Sequence, residues 1–390
     1  MAIIAIMANS VKNPFTIGGY VSAKYFCDRV EETKELTSAF VNGRNLALIS
    51  PRRMGKTGLI HHCYAQPQIK NRYHTFFIDI YATGSLKEFV YIFGKQIFET
   101  LKSRGRKFTE QFFATIASLR PAFKLDPVTG APVFDIGLGE IRHPEKSLDE
   151  IFSYLEKADK PCIVAFDEFQ QIARYPEKNM EAILRTHVQR CTNTTFVFAG
   201  SQRHMMQNMF YSASRPFYQS VSPINLGPID LEEYTRFAAG HFKAARKEIT
   251  AECVARIYHL FDGHTWYIQN ILNRLYEQVE PGEELTMDMA DHVLHKTVEN
   301  NRVIYQGMLS MLPERQKEVL IAISKEGKAQ EITSAEFIRK HALMSPSSVQ
   351  TAARTLLEKE FITKENSTYE VYDRFFGLWL SQEYGIGYTL

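Results

Sequence analysis

The chain has little cysteine, no excess of either charge sign and no long apolar run. Its five cysteines, at positions 27, 63, 162, 191 and 253, have no CxxC or other metal-like spacing, so neither a metal knuckle nor a disulfide framework is indicated. Odd in number and set in apolar runs such as PCIVAFDE, they read as reduced, mostly buried thiols, and cytoplasmic is the expected location. A formal net charge of +2 provides no overall field to attract nucleic acid, membrane or an acidic substrate; any such partner needs a local patch. No stretch reaches the ~20 apolar residues of a transmembrane helix, so no membrane contact is expected. MAIIAIMANS is apolar but lacks a basic n-region and is short for a signal peptide. MANSVKNPF, from Met7, reads as an ordinary polar amino terminus, so Met7 is a candidate start beside Met1. Internal repeats and low-complexity tracts are absent too.

What is present is the composition of a soluble globular protein, 45% hydrophobic and 23% charged over 390 residues, long enough for two or three domains. Apolar, β-branched runs recur at Leu46–Ser50, Tyr73–Ile80, Cys162–Asp167, Thr195–Gly200 and Pro223–Leu226. Between them lie segments of helical period, including Leu86–Leu101 and Ser147–Lys157, the latter opening on a Ser147-to-Glu150 capping box. Strands alternating with helices predict βαβ units and a parallel sheet, whose doubly covered strands need not alternate apolar with polar. FKLDPVTGAPVFDIGL, Phe123–Leu138, reads as an inserted hairpin.

After about residue 230 the strands stop. Leu231–Lys247, Thr250–Phe261, Thr265–Gln278 and Thr286–Leu309 read as helices of a small lid spanning 231–311. From 312 to 390 the order is helix, short helix, Ser345–Glu360 helix capped by Ser345, then a two-stranded wing in FITKENSTYEVYD: a winged helix-turn-helix. The core then spans 1–230, with the hairpin near 123–138.

The chemistry is concentrated in SPRRMGKT, Ser50–Thr57, which follows the strand LALIS and precedes the helical GLIHHCYA. That is the context of a phosphate-binding loop. Ser50, Pro51, Arg52, Arg53, Met54, Gly55, Lys56, Thr57 and Gly58 are the candidate phosphate cradle, with backbone N–H groups gathered at a helix N-terminus. Lys56 is expected to reach the β and γ phosphates and Thr57 to ligate Mg²⁺. Ser50 stands where the usual pattern has glycine; a small residue still permits the turn. Alone, a GKT in a loop can be coincidence.

A second motif makes coincidence a poor account. IVAFDE, Ile163–Glu168, is an apolar strand ending in two acids, so Asp167 is expected at the magnesium and Glu168 at the attacking water. TFVFAGS then places Ser201 or Gln202 near the γ phosphate. Arg203 and Arg215 follow, and Arg215 is a candidate for the arginine that stabilises transition-state charge, the alternative being a structural surface arginine. The catalytic candidates are thus Lys56, Glu168, Ser201 and Arg215, with Thr57 and Asp167 at the metal and ATP with Mg²⁺ as the cofactor pair.

With NPF (Asn13–Phe15), YFCDRVEET (Tyr25–Thr33), FIDIYATGSLKEF (Phe77–Phe89) and YDRFFGLWL (Tyr372–Leu380) added, the chain resembles the archaeal-type ATPases, a branch of the STAND and AAA+-like P-loop ATPases. The resemblance covers nearly the whole length. It implies an α/β fold with an ASCE P-loop core, sheet order 5-1-4-3-2, then a helical lid and a winged helix. It also implies that Phe26, Asp28 and Arg29 lie near the nucleotide base. Gly263-His264-Thr265 matches the family's Gly-His-Pro motif without its proline, which weakens a sensor role for His264. Related ATPases act as switches, so a regulatory ATPase of slow turnover is expected, with a protein partner and nucleotide-dependent homo-oligomers. The alternative is DNA binding through the winged helix, using Ser347, Ser348, Gln350, Thr351 and Arg354. The near balance of acids and bases from 313 to 374 argues against it. The basic stretch KSRGRK, Lys102–Lys107, reads as a solvated loop.

Overall fold

Five short apolar strands build a parallel sheet: β1 (Leu46–Ile49), β2 (His74–Asp79), β3 (Cys162–Asp167), β4 (Thr194–Gly200) and β5 (Ser222–Asn225). Their order is β2-β3-β4-β1-β5, which read from the other edge is the expected 5-1-4-3-2. This computed structural model describes residues 13–102, 112, 114–116, 118, 123–125, 132–134 and 141–385. Of KSRGRK only Lys102 falls among them. The expected hairpin is represented by antiparallel Phe123–Leu125 and Pro132–Phe134, and the rest of that segment lies outside the described residues.

Side chains alternate across the sheet, and both faces are covered. Ala47, Phe76, Val164, Phe166, Phe196 and Phe198 point into one core with helices α3 (Leu86–Lys102), α4 (Pro144–Glu156) and α5 (Met180–Arg190). Leu46, Leu48, Ile163, Ala165, Val197 and Ala199 point into the other, with α1 (Val30–Val41) and α2 (Lys56–Tyr64). Every residue of β1, β3 and β4 is buried, so the strand ends are fixed and the loops leaving them at the carboxyl edge share one region.

The chain forms two compact units, Gly18–Ile229 and a second that takes the described residues up to Ile17 together with those from Asp230 onward. In the second, α6 (Thr265–Gln278) and neighbouring helices hold the amino-terminal segment. Asn13 Nδ2 donates to the Asn273 carbonyl at 2.7 Å, and Asn273 Nδ2 returns a bond to the Phe15 carbonyl at 2.6 Å. The Phe15 ring, fully buried, lies among Phe237, His241, Phe242 and Tyr276.

The winged helix occupies the carboxyl-terminal part of this unit. Its helix Pro346–Glu358 is capped by Ser345, whose Oγ accepts from the Ser348 N–H at 3.3 Å. The wing strands β6 (Ile362–Glu365) and β7 (Thr368–Val371) are joined by Asn366 and Ser367, both at positive φ. That is a hairpin turn compatible with strand twist. Asp373 caps the last helix, Arg374–Tyr384, and Arg374 reaches Asp262 at 3.1 Å.

Two local readings are corrected. Ser147 does not open a helix: Pro144, pre-set for the first helical position, starts it earlier, while Ser147 and Glu150 both bond Ser118. The single expected helix Thr286–Leu309 is two, Met287–Glu299 and Arg302–Ser310, separated at Asn300 and Asn301. Asparagine competes for backbone hydrogen bonds and tolerates such breaks. Among the described residues no helix is long and apolar enough to cross a membrane.

Candidate functional site

β1 is followed by Ser50, which is fully buried; its N–H continues the ladder to the Gly200 carbonyl at 3.2 Å and its Oγ donates to the Pro51 carbonyl. A small side chain is all this corner requires, which accounts for serine in the place of glycine. The loop turns through Arg53 at φ 67° and Gly55 at φ 87°. The second value suits glycine, and it aims the first N–H groups of α2 into the loop.

α2 therefore begins with Lys56 and Thr57 facing the end of β3. Lys56 Nζ lies 2.9 Å from Asp167 Oδ1 and 3.5 Å from Glu168 Oε1, and the Thr57 hydroxyl donates to Asp167 Oδ2 at 3.0 Å. Lys56 and Asp167 are both buried, each 7% exposed. At such depth an ion pair is far less screened than at the surface. Glu168 follows at φ 56°, its own N–H bonded to Asp167 Oδ1 at 2.9 Å. This left-handed turn lets one strand end present both acids.

Glu168 Oε2 accepts from Ser201 Oγ at 2.6 Å and from the Gln170 amide. Desolvation works against the anion, but Lys56, Ser201, Gln170 and Arg52 more than offset it and hold the carboxyl below the ordinary glutamate range. Arg52 Nε stands 4.0 Å from Glu168 Oε1 and donates to Ser201 Oγ at 3.3 Å. Gly200 makes this convergence possible, because a Cβ there would collide with Met206 and Gln170.

The sequence reading overlooked Asp79 and Tyr81. Asp79 is the register partner of Asp167 on the neighbouring strand, its Oδ1 accepts the Tyr81 N–H at 2.9 Å, and the Tyr81 ring carries the Arg52 guanidinium 5.0 Å from its centroid. Partial desolvation, with Asp167 and Glu168 close by, raises the Asp79 carboxyl above its usual value despite the Tyr81 N–H and Lys56. The available signal was an acid closing an apolar strand, FFID, the same form as IVAFD.

Other candidates lie elsewhere in the network. Arg29, 3% exposed, bonds Glu32, the Met54 carbonyl at 3.2 Å and the Gly227 carbonyl at 2.7 Å. Phe26 stacks on His62 with centroids 4.3 Å apart, beside Gly58. Asp28 is half-buried at φ 51°. Arg215 pairs with Glu181 at 2.7 Å, where burial raises the carboxyl against the pull of the arginine. Gln202 Oε1 accepts from Arg174, and Arg203 opens the following helix. In the second unit, His264 Nδ1 donates to the Phe261 carbonyl at 2.8 Å.

This site lies inside a matched domain. The model of an ATPase domain predominantly from Archaea matches residues 26–271. The chain belongs to the archaeal-type ATPase family. It is an ATPase that binds and hydrolyses ATP, and a second model, described as a probable winged helix domain, matches residues 303–382. Among solved structures, the ATPase is similar to a Walker-type ATPase of Pyrococcus abyssi. The identity is 17%, the TM-score is 0.64, and the match covers 94% of this chain and 99% of that one. It is also similar to the ORC2 protein of Aeropyrum pernix, solved as ADPNP–ADP complexes, at 12% identity and TM-score 0.54, covering 95% and 96%. Both likenesses show the fold. No curated protein matches in sequence.

Proposed function

We propose that the ATPase hydrolyses Mg-ATP at the Lys56–Thr57–Asp167–Glu168 cluster and works as a nucleotide-driven regulatory switch. The observation that carries the reading is the meeting of Lys56 and Thr57 on the two oxygens of Asp167, with Glu168 adjacent. Residues 50–58 cradle the phosphates with backbone N–H groups, and Lys56 neutralises the β and γ oxygens. Glu168, kept anionic and oriented by Ser201 and Gln170, accepts the proton of the attacking water.

The donors fit magnesium. Thr57 and Asp167 offer hard oxygens beside a phosphate loop, and among the described residues no cluster of three or more His, Cys, Asp or Glu side chains forms a metal site. Mg²⁺ is held in this way, by one or two protein oxygens together with substrate phosphates and water. When bound, it would neutralise charge between the β and γ phosphates. That a fold relative is solved with ADPNP and ADP supports nucleotide binding here.

Arg29 supports the switch. One guanidinium holds both the phosphate-loop carbonyl of Met54 and the carbonyl of Gly227, just ahead of the point where the chain enters the second unit. A change in the loop on exchange of ATP for ADP is then passed to that connection, provided the two arrangements bind nucleotide with different affinity. The reader of the change is proposed to be a protein, or a second copy of the chain. From 313 to 374 ten Lys and Arg are balanced by ten Asp and Glu, and Arg374 is engaged by Asp262 and Glu370. A module of balanced charge favours protein contact over phosphate binding.

The test is ATP turnover by the wild type, Lys56→Ala and Glu168→Gln, with and without duplex DNA, together with limited proteolysis in ATP and in ADP. Loss of turnover in both variants and nucleotide-dependent cleavage near residue 229 are expected. Unchanged turnover would remove the site assignment. Identical cleavage patterns would remove the switch, and salt-sensitive stimulation by DNA would replace the protein partner with DNA.

A further inference from the structure

Among the described residues, two cations from the phosphate loop stand beside Glu168 Oε1: Lys56 at 3.5 Å and Arg52 at 4.0 Å. Arg52 is not a surface arginine that happens to fall nearby. Its side chain is 24% exposed, Nε donates to Ser201 Oγ, and the guanidinium lies over the Tyr81 ring. Tyr81 is itself fixed by Asp79 through its backbone N–H. Ser201 completes a closed ring, since it accepts from Arg52 and donates to Glu168. The ring joins the loops after β1, β3 and β4, and the Asp79–Tyr81 turn adds the end of β2.

An unsupported arginine loses roughly 2 kcal/mol of rotamer freedom when it is held still. An exposed pair returns ~0–1 kcal/mol. The aromatic seat and the serine bond offset that cost in advance, so the guanidinium is held beside Glu168 at the carboxyl edge of the sheet. Two further arginines that the sequence offered point to other groups: Arg215 to Glu181, and Arg29 to Glu32, Met54 and Gly227.

We propose that Arg52 acts in cis as the second catalytic cation of ATP hydrolysis, bearing on the γ-phosphoryl group from within the phosphate loop, so that turnover requires no arginine from another chain. The inference rests on the site assignment made above. In the step concerned, the water oxygen forms a bond to the γ phosphorus while the bond from that phosphorus to the β–γ bridging oxygen breaks. The bridging oxygen leaves with the electron pair on ADP, the water proton passes to Glu168, and inorganic phosphate is the other product. Negative charge rises on the breaking and equatorial oxygens, where a preorganised guanidinium interacts more strongly with the transition state than with bound ATP.

The experiment uses the full chain as wild type, Arg52→Ala and Arg52→Gln, the second variant keeping most of the side-chain volume should alanine perturb folding. Single-turnover hydrolysis, affinity for fluorescent ATP and ADP analogues, and affinity for ADP with aluminium fluoride are measured. Both variants are expected to hold ATP within about threefold of wild type, since the contact favours the transition state. They should slow the chemical step by about 10³-fold and lose affinity for the aluminium fluoride complex by a similar factor. The wild-type rate per chain should not change on dilution, and mixing Arg52→Ala with Lys56→Ala should restore nothing. The proposal is overturned by wild-type rates in both variants, by ATP affinity falling as steeply as the rate, or by recovered turnover in the mixture. If Lys56→Ala and Glu168→Gln also turn over normally, the site assignment fails first; if only the Arg52 variants do, this inference alone falls.

Discussion

Lys56 Nζ stands 2.9 Å from Asp167 Oδ1, a buried pair that joins the phosphate loop to the end of β3. Removing one partner of a buried pair leaves the other charge uncompensated, at a cost of about 3–5 kcal/mol. Asp167→Ala is therefore expected to lower the thermal midpoint followed by circular dichroism. The Lys56→Met/Asp167→Leu double variant should recover most of that loss while remaining inactive. A double variant no more stable than Asp167→Ala would show that the pair does not hold the loop.

Glu168→Gln keeps the bonds from Ser201 and Gln170 in reach but removes the proposed proton acceptor. Single-turnover hydrolysis should fall by ~10²–10⁴-fold with ATP still bound. Ser201→Ala should cost less, because Lys56 and Gln170 continue to hold the carboxylate. Comparison of burst amplitude with ATP titration separates chemistry from binding.

Arg29 offers a choice between a reader of the base and a strut. Its guanidinium is bonded to Glu32 and to the Met54 and Gly227 carbonyls, a fork that lysine cannot reproduce. Arg29→Lys should therefore weaken ATP and GTP alike, by about tenfold for the loss of a charge-assisted bond worth ~1.5 kcal/mol. A selective change in the ATP-to-GTP ratio, read by competition titration, would instead place Arg29 at the base.

Phe15 is fully buried in a seat formed by residues of another part of the sequence. Phe15→Ala is expected to destabilise the second unit by about 3–5 kcal/mol. Both tryptophans of the chain, Trp266 and Trp379, lie in that unit, so their fluorescence in a urea titration reports on it selectively. Asn273→Ala should shift the same transition by less.

Mild acid should act on the same unit through His264. Burial first, and the Arg374 cation second, lower its pKa below the ordinary histidine value. The unfolded chain then binds the proton more readily, so stability is complete above about pH 6.5 and declines as the pH falls towards the lower folded value. The tryptophan-monitored urea midpoint should drop between pH 7.5 and 5.5. His264→Asn, which keeps a donor for the Phe261 carbonyl and suits the cap position, should shrink that drop.

The strands and the phosphate loop were legible because their signals are local: an apolar run, a turn, a charged residue at a fixed spacing; the order of the sheet, a non-local property, came only through the family resemblance. Cys162–Asp167 was read to the residue, since burial on both faces leaves no polar position to blur its ends. The roles of Arg29 and Arg52 were not legible. Their partners are a carbonyl at Gly227 and a hydroxyl at Ser201, far along the chain and without any distinctive side-chain pattern. The pairing of Arg215 with Glu181 was not legible either, because nothing in SASRPF announces that partner. The NPF segment was recognised through resemblance, but its seat on residues near 240 and 275 is a tertiary fact with no periodicity to reveal it.

That seat has a consequence for synthesis. Residues 18–229 hold every strand of the parallel sheet and can close their core as soon as they leave the ribosome. Phe15 emerges before all of them, yet its site is incomplete until Tyr276 has been made. At ~5–20 residues per second, the Phe15 segment waits on the order of tens of seconds for its pocket. Over that interval it depends on chaperones, or on its own solubility, to remain available.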